Sequence, residues 1–137
     1  MGNFTDAERS YFGSQRLGRL ATVGVDGRPH VVPVGFRYDA GADSIDVGGH
    51  GMDRSMKWRD LLANPRVAFV IDDLASVDPW TPRGIELRGT AELHETGGEG
   101  IGPGFGPSWL RIRPRRVVAW GIDGDAFRTP RNARTLG

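Results

Sequence analysis

The stretch "DRSMKWRD" places a hydroxyl, Ser55, two residues before an ammonium, Lys57. Of 18 basic residues Lys57 is the only lysine; the other 17 are arginines. Trp58, Leu61 and Leu62 follow with helical spacing, and Pro65 ends the run, so a helix is expected at about 53–63. Ser55 and Lys57 then fall in its first turn. Unpaired N–H groups and the helix dipole favour an anion there, and Ser55 and Lys57 add a donor and a full charge. Arg54 and Arg59 add further charge. A phosphate site is one reading. An ordinary solvated helix start capped by Asp53 is the other, since Asp53 competes for the same N–H groups.

A second candidate surface is the strand expected at 30–38. His30, Val32, Val34, Phe36 and Tyr38 share one face; Val31, Pro33, Gly35 and Arg37 share the other. Pro33 donates no hydrogen bond and Gly35 carries no side chain, so this second face is smooth. It suits either an edge strand with a bulge or a platform for a flat ring.

Other chemistries find little support. "GGEGIGPGFG" lacks both G-x-G-x-x-G in register and the G-K-[ST] of a phosphate loop, and reads as a plain loop. His30, His50 and His94 are widely spaced without H-E-x-x-H, and cysteine is absent, so no metal site is expected. No G-x-S-x-G occurs. A net charge of +1 gives no general pull toward nucleic acid or anionic membrane. No run approaches the roughly 20 apolar residues of a membrane span, and "MGNFTDAERS" lacks a signal-peptide core. A cytoplasmic protein acting on a small molecule is expected.

The elements that must position these residues are mainly strands. Thr5 and Glu8 form a capping-box signature for a helix over 5–15. Asp26-Gly27 signals a hairpin with a type I′ turn. Further strands are expected at 43–49, at 67–71 ("VAFVI", buried on both faces), at 84–93 with strict alternation, and as one or two strands around Pro114 in 109–123. Loops are expected at 72–83, with Asp72 and Asp73 in a solvated turn, and at 95–108. The segment 124–137 reads as a polar tail of weak structural signal. With five or six strands, two short helices and no βαβ alternation, a single all-β barrel domain spanning 1–137 is expected.

"RPHVVPVGF", the S-x-K of the helix start and "ANPRVAFVIDD", in that order, resemble the pyridoxamine 5′-phosphate oxidase-like superfamily of split β-barrels. "RLATVGVDGRPHVVPVGF", "RGIELRGTAEL" and "RIRPRRVVAWGI" are most similar to its actinobacterial branch that uses the deazaflavin coenzyme F420. The resemblance covers about residues 8–123. It implies a six-stranded split barrel forming a homodimer, with cofactor sites at the subunit interface. It places Ser55 and Lys57 on the cofactor phosphate, with Met56 where the oxidases carry Arg. Arg54, Met56 and Arg59 border the group, and Val31, Val32, Pro33 and Val34 support the ring through their backbone. Trp120 and the 105–113 segment complete the pocket from the other subunit.

The activity this implies is transfer of a hydride between the deazaflavin and a small organic acceptor. An FMN-dependent oxidoreductase of the same fold, and a non-catalytic carrier of cofactor or haem, are the alternatives.

Overall fold

The computed structural model describes residues 2–123 and 132–137. Six antiparallel strands close into a barrel: β1 (Leu17–Val23), β2 (Pro29–Asp39), β3 (Ser44–Val47), β4 (Arg66–Ser76), β5 (Thr81–His94) and β6 (Trp109–Trp120). Neighbours run β3-β2-β1-β4-β5-β6, and pairing of β3 with β6 closes the ring. A seventh strand, β7 (Asn132–Thr135), lies along β6. Helix α1 (Asp6–Ser14) precedes the barrel, and α2 (Met56–Ala63) links β3 to β4. The mainly β, six-stranded barrel with two short helices is thus the observed fold.

Local signals explain much of this. Thr5 Oγ1 accepts from the Glu8 N–H at 3.1 Å, and the Glu8 carboxylate accepts from the Thr5 N–H at 3.0 Å, so the capping box is complete. Gly27 has φ 84°, as the Asp26-Gly27 signal requires. The turn is longer than the two residues a type I′ turn needs. Pairing stops at Val23 and Pro29, and the Gly24 N–H donates to the Arg28 carbonyl at 2.8 Å.

Three expectations are corrected. First, 67–71 is buried on one face only. Val67, Phe69 and Ile71 point into the barrel, while Ala68 and Val70 are half-buried on its outside. Apolar residues on both faces had hidden the period of 2. Second, most of 72–83 is strand, with β4 and β5 paired as far as Ser76 and Thr81. Asp72 and Asp73 are therefore tied across strands: Asp72 to Arg19 at 2.8 Å, Asp73 to Arg83 at 2.7 and 3.0 Å and to the Tyr11 hydroxyl at 2.8 Å. Third, residues 132–135 of the expected tail are a strand; the remainder, 124–131, lies outside the described residues.

β6 runs unbroken through Pro114 because the ladder is irregular between Arg88 and Gly89. An added Cβ at Gly89 would sit 2.0 Å from the Arg113 carbonyl, so the crossing needs glycine. Leu20, Phe69, Ile85, Leu87, Leu110 and Ile112 fill the barrel. On the opposite face of β3 from Ile45 and Val47, Asp46 is buried and held by Arg111 at 2.8 and 3.0 Å.

The glycine-rich segment is a loop, but a fastened one. Gly106 N–H donates to the Gly49 carbonyl at 2.9 Å, and Phe105 packs so closely on Gly48 that a Cβ there would meet its ring at 2.7 Å. Arg37 donates to the Gly100 carbonyl at 2.7 Å. The loop thereby covers the far end of β2. From Pro29 to Gly35, β2 is bonded to β1 on one side, and no described strand pairs with it on the other.

Candidate functional site

The open stretch of β2 and the start of α2 meet at the same end of the barrel. What joins them is Asp60, buried on α2. It accepts from Thr22 Oγ1 of β1 at 2.6 Å and lies 2.7 Å from His30 Nδ1 of β2. Burial pushes the Asp60 carboxyl up, but the hydrogen bonds from Thr22 and His30 outweigh it and hold it below the ordinary carboxylate value. The group is therefore an acceptor, and His30 Nδ1 carries the hydrogen.

Lys57 stands three residues before Asp60, on the same face of α2. It is half-buried and makes no hydrogen bond or ion pair among the described residues. Burial pushes its ammonium below the usual lysine value. A partly desolvated cation without a counter-charge favours an anionic ligand.

Ser55, not Asp53, caps α2. Its Oγ accepts from the Trp58 N–H at 3.3 Å and donates to the Met52 carbonyl at 2.6 Å. Its own proton is thus committed within the chain. Asp53 instead lies in a 3₁₀ turn, Met52–Arg54, its N–H donating to Ser108. The N–H groups of Met56 and Lys57, at the first two helical positions, have no partner among the described residues. These groups and the Lys57 ammonium are a donor set suited to phosphate.

The ring platform also has a physical counterpart. Val31 is 69 % exposed and Pro33 is exposed, whereas Val34 is 7 % exposed and packs in the core. Val32 is on the margin. Any flat ligand would therefore meet Val31, Pro33 and the backbone between them. Met56 and Arg59 are exposed and, with Asp60, line a recess of about 440 Å³ against His30 and the 24–28 turn. Arg54 is exposed, its guanidinium folded back over Gly51.

Trp120 is not brought to this place by its own chain. It packs over Gly84 at the end of β6 remote from residues 110–112, where β6 joins β3. Phe105, in the segment expected from a partner, covers Gly35 and Gly48 of its own chain. Sequence reasoning missed Asp60 and Thr22. Their signal was a lone carboxylate between Trp58 and Leu61 on the apolar side of the helix. Among the described residues no cluster of metal-ligating side chains occurs.

The comparisons agree with this architecture. Residues 4–101 match the family model described as pyridoxamine 5′-phosphate oxidase, and the chain belongs to that family. It is 46 % identical over 122 residues, 89 % of this chain and 86 % of the relative, to the 5a,11a-dehydrotetracycline/5a,11a-dehydrooxytetracycline reductase of Streptomyces rimosus. Among solved structures it resembles a conserved hypothetical protein, Rv2991, of Mycobacterium tuberculosis. That likeness has a TM-score of 0.69 and 26 % identity, over 98 % of this chain and 92 % of the other. A structure described as an F420 reductase has the same fold, with a TM-score of 0.62 at 24 % identity over 80 % of this chain and 94 % of the other. With a reductase so similar over nearly its whole length, the protein is an enzyme of the oxidoreductase class.

Proposed function

We propose that this protein is an F420-dependent reductase that transfers a hydride from the reduced deazaflavin to an electron-poor double bond of a small organic acceptor. The observation that carries the reading is Lys57, a half-buried ammonium without a partner among the described residues, one turn before the Asp60 that holds His30 of β2. Lys57 and the free N–H groups of α2 hold the cofactor phosphate, while Val31 and Pro33 support the ring. When bound, the reduced cofactor supplies both electrons as hydride. Between Val31 and Gly35, β2 presents no acid, so the balancing proton comes from water. The relative's named substrates are dehydro-tetracyclines, which makes a conjugated polycyclic ketone the first acceptor class to test.

The active form is a homodimer. Val31, Ala21 and Ala68 lie in register across the outer face of β2, β1 and β4, and Pro33, Arg19 and Val70 form the next row. With exposed Leu17 these make a flat face of small apolar residues, and Arg19 within it is neutralised by Asp72. A second copy seated there would bring Trp120 and its loops over the first copy's β2.

The test is a pair of fluorescence titrations of cofactor-free protein, with F420 and with FMN. Tight F420 binding and weak FMN binding support the reading. The reverse makes the protein FMN-dependent despite Met56. Binding of neither, with a Soret band on adding haem, transfers the chain to the carriers.

A further inference from the structure

The recess between α2 and the 24–28 turn contains a group the hydride reaction does not use. His30 is fixed by one nitrogen. Nδ1 donates to Asp60 at 2.7 Å, and Asp60 is itself fixed by Thr22 at 2.6 Å. A buried carboxylate anchored on two strands and a helix holds the imidazole in one orientation and one tautomer. Nε2 is left without a partner among the described residues, on a ring that lines the recess with Met56, Arg59 and Arg28. This is more than a satisfied surface histidine requires. A threonine, an aspartate and a histidine in series orient one nitrogen toward a cavity.

The charges around that nitrogen indicate its ligand. On α2 it faces Asp60 and Arg59, with Lys57 one turn earlier; in the turn it faces Asp26 and Arg28. Arg28 is neutralised by Asp26 at 2.6 Å, Arg59 lies close enough to Asp60 to stabilise its charge without forming an ion pair, and Lys57 has no carboxylate partner among the described residues. Asp60 has both its hydrogen bonds on one oxygen and is 3 % exposed at the wall of the recess, where it offsets part of the positive charge. What remains is a directed imidazole in the recess, Arg59 shared with Asp60, and Lys57 one turn away on the same helix; Met56 adds no charge.

We propose that His30, oriented by Asp60, is a ligand of the cofactor's phosphate. The imidazolium then shares with Lys57 the charge for which Met56 offers nothing. This rests on the phosphate site proposed above and adds a property to it. With Nδ1–H committed to Asp60, Nε2 can donate to a phosphate only as imidazolium, a contact that a permanent charge at position 30 would replace. Asp60 is a positioning residue in this scheme, since a carboxylate repels a phosphate and acts only through the imidazole it holds.

The experiment measures dissociation constants of FMN and F420 by fluorescence between about pH 5.5 and about pH 8.5, the range in which an imidazole titrates. The proteins compared are wild type, His30→Gln, His30→Arg, Asp60→Asn and Lys57→Ala. Riboflavin and the deazaflavin without its phosphate are run beside the parent cofactors. His30→Arg carries a charge that does not titrate and serves as the reference for the ligand's own ionisation. Relative to that reference, wild-type affinity is expected to fall about tenfold from the acidic to the alkaline end, as for loss of one charge-assisted hydrogen bond. His30→Gln should bind weakly throughout. Asp60→Asn should lose affinity with the histidine still present. The ligands without phosphate should show no such dependence.

A wild-type profile parallel to that of His30→Arg overturns the proposal, as does equal pH dependence for riboflavin. If Lys57→Ala binds normally and His30→Gln does not, the Lys57 assignment fails and this one stands. In a separate arm, the His30 ring resonances are followed by NMR as inorganic phosphate is added. Movement in wild type that is lost in Asp60→Asn supports the inference even if neither cofactor binds. No movement, with no cofactor binding, overturns it.

Discussion

Arg134 closes on Glu8 across 126 positions of sequence. Its two terminal nitrogens lie 2.5 and 3.0 Å from the two oxygens of a carboxylate that solvent does not reach. The same carboxylate caps α1 through the Thr5 N–H. One residue of β7 thereby fastens the N-terminal helix onto the barrel.

Replacing Arg134 with alanine leaves that carboxylate buried with only the Thr5 N–H for company. Uncompensated buried charges cost about 3–5 kcal/mol. Denaturant unfolding should show a loss at the lower end of that range. A change within about 0.5 kcal/mol, as for an exposed side chain, would mean the pair is not formed in solution.

Lys57→Ala should behave in the opposite way toward stability. The ammonium is half-buried and has no partner among the described residues, so its removal relieves desolvation and leaves the melting temperature unchanged or raised. Cofactor affinity should nonetheless fall by about 1.5–3 kcal/mol, the loss of a charged hydrogen bond. Unchanged affinity in a fluorescence titration would contradict the phosphate assignment.

Acid should destabilise the barrel through Asp73 in particular. Its hydrogen bonds from Arg83 outweigh burial, and the Tyr11 hydroxyl adds to them, so the folded carboxyl sits below its unfolded value. A depressed carboxyl contributes stability that is full above the unfolded value, near 4, and is lost as pH falls through the folded one. Asp39 and Asp60 act in the same direction. Urea melts of wild type and Asp73→Asn from about pH 6 to about pH 2 should converge at the acid end. A constant gap between them would rule out this coupling.

Val31→Lys tests the proposed pairing face. Val31 is already exposed, so in a lone barrel the change should cost no more than about 0.5 kcal/mol. At the centre of an apolar interface it introduces a desolvated charge. Light scattering behind a sizing column should then report half the wild-type mass. Identical masses for the two proteins would remove that face from consideration.

Legibility in the sequence followed how local the determinant was. The capping box, the positive φ at Gly27 and the alternation of 85–93 depend on neighbours within a few residues, and all are observed. So is the contrast between exposed Val31 and buried Val34 on one strand. What stayed hidden depends on distant partners. Asp73 reads as a turn residue until Arg83 and Tyr11 are beside it. Asp60 was missed because the two groups that hold it, Thr22 and His30, come from other strands. Asp53 was the cap on one of two readings of the helix start, but the 3₁₀ turn takes it out of position and gives the role to Ser55. The 132–135 strand has almost no apolar signal, since its stability comes from β6 and from the Glu8 carboxylate.

The one-sided stretch of β2 has a consequence for the solution behaviour of the protein. An open strand edge invites other chains to add to it, and that is how sheets grow into aggregates. Here the edge carries prolines at 29 and 33, which have no N–H to offer an incoming strand. The same two prolines make this edge a poor template for polymerisation. The barrel can leave backbone uncovered for a ligand and remain protected against self-assembly into fibres.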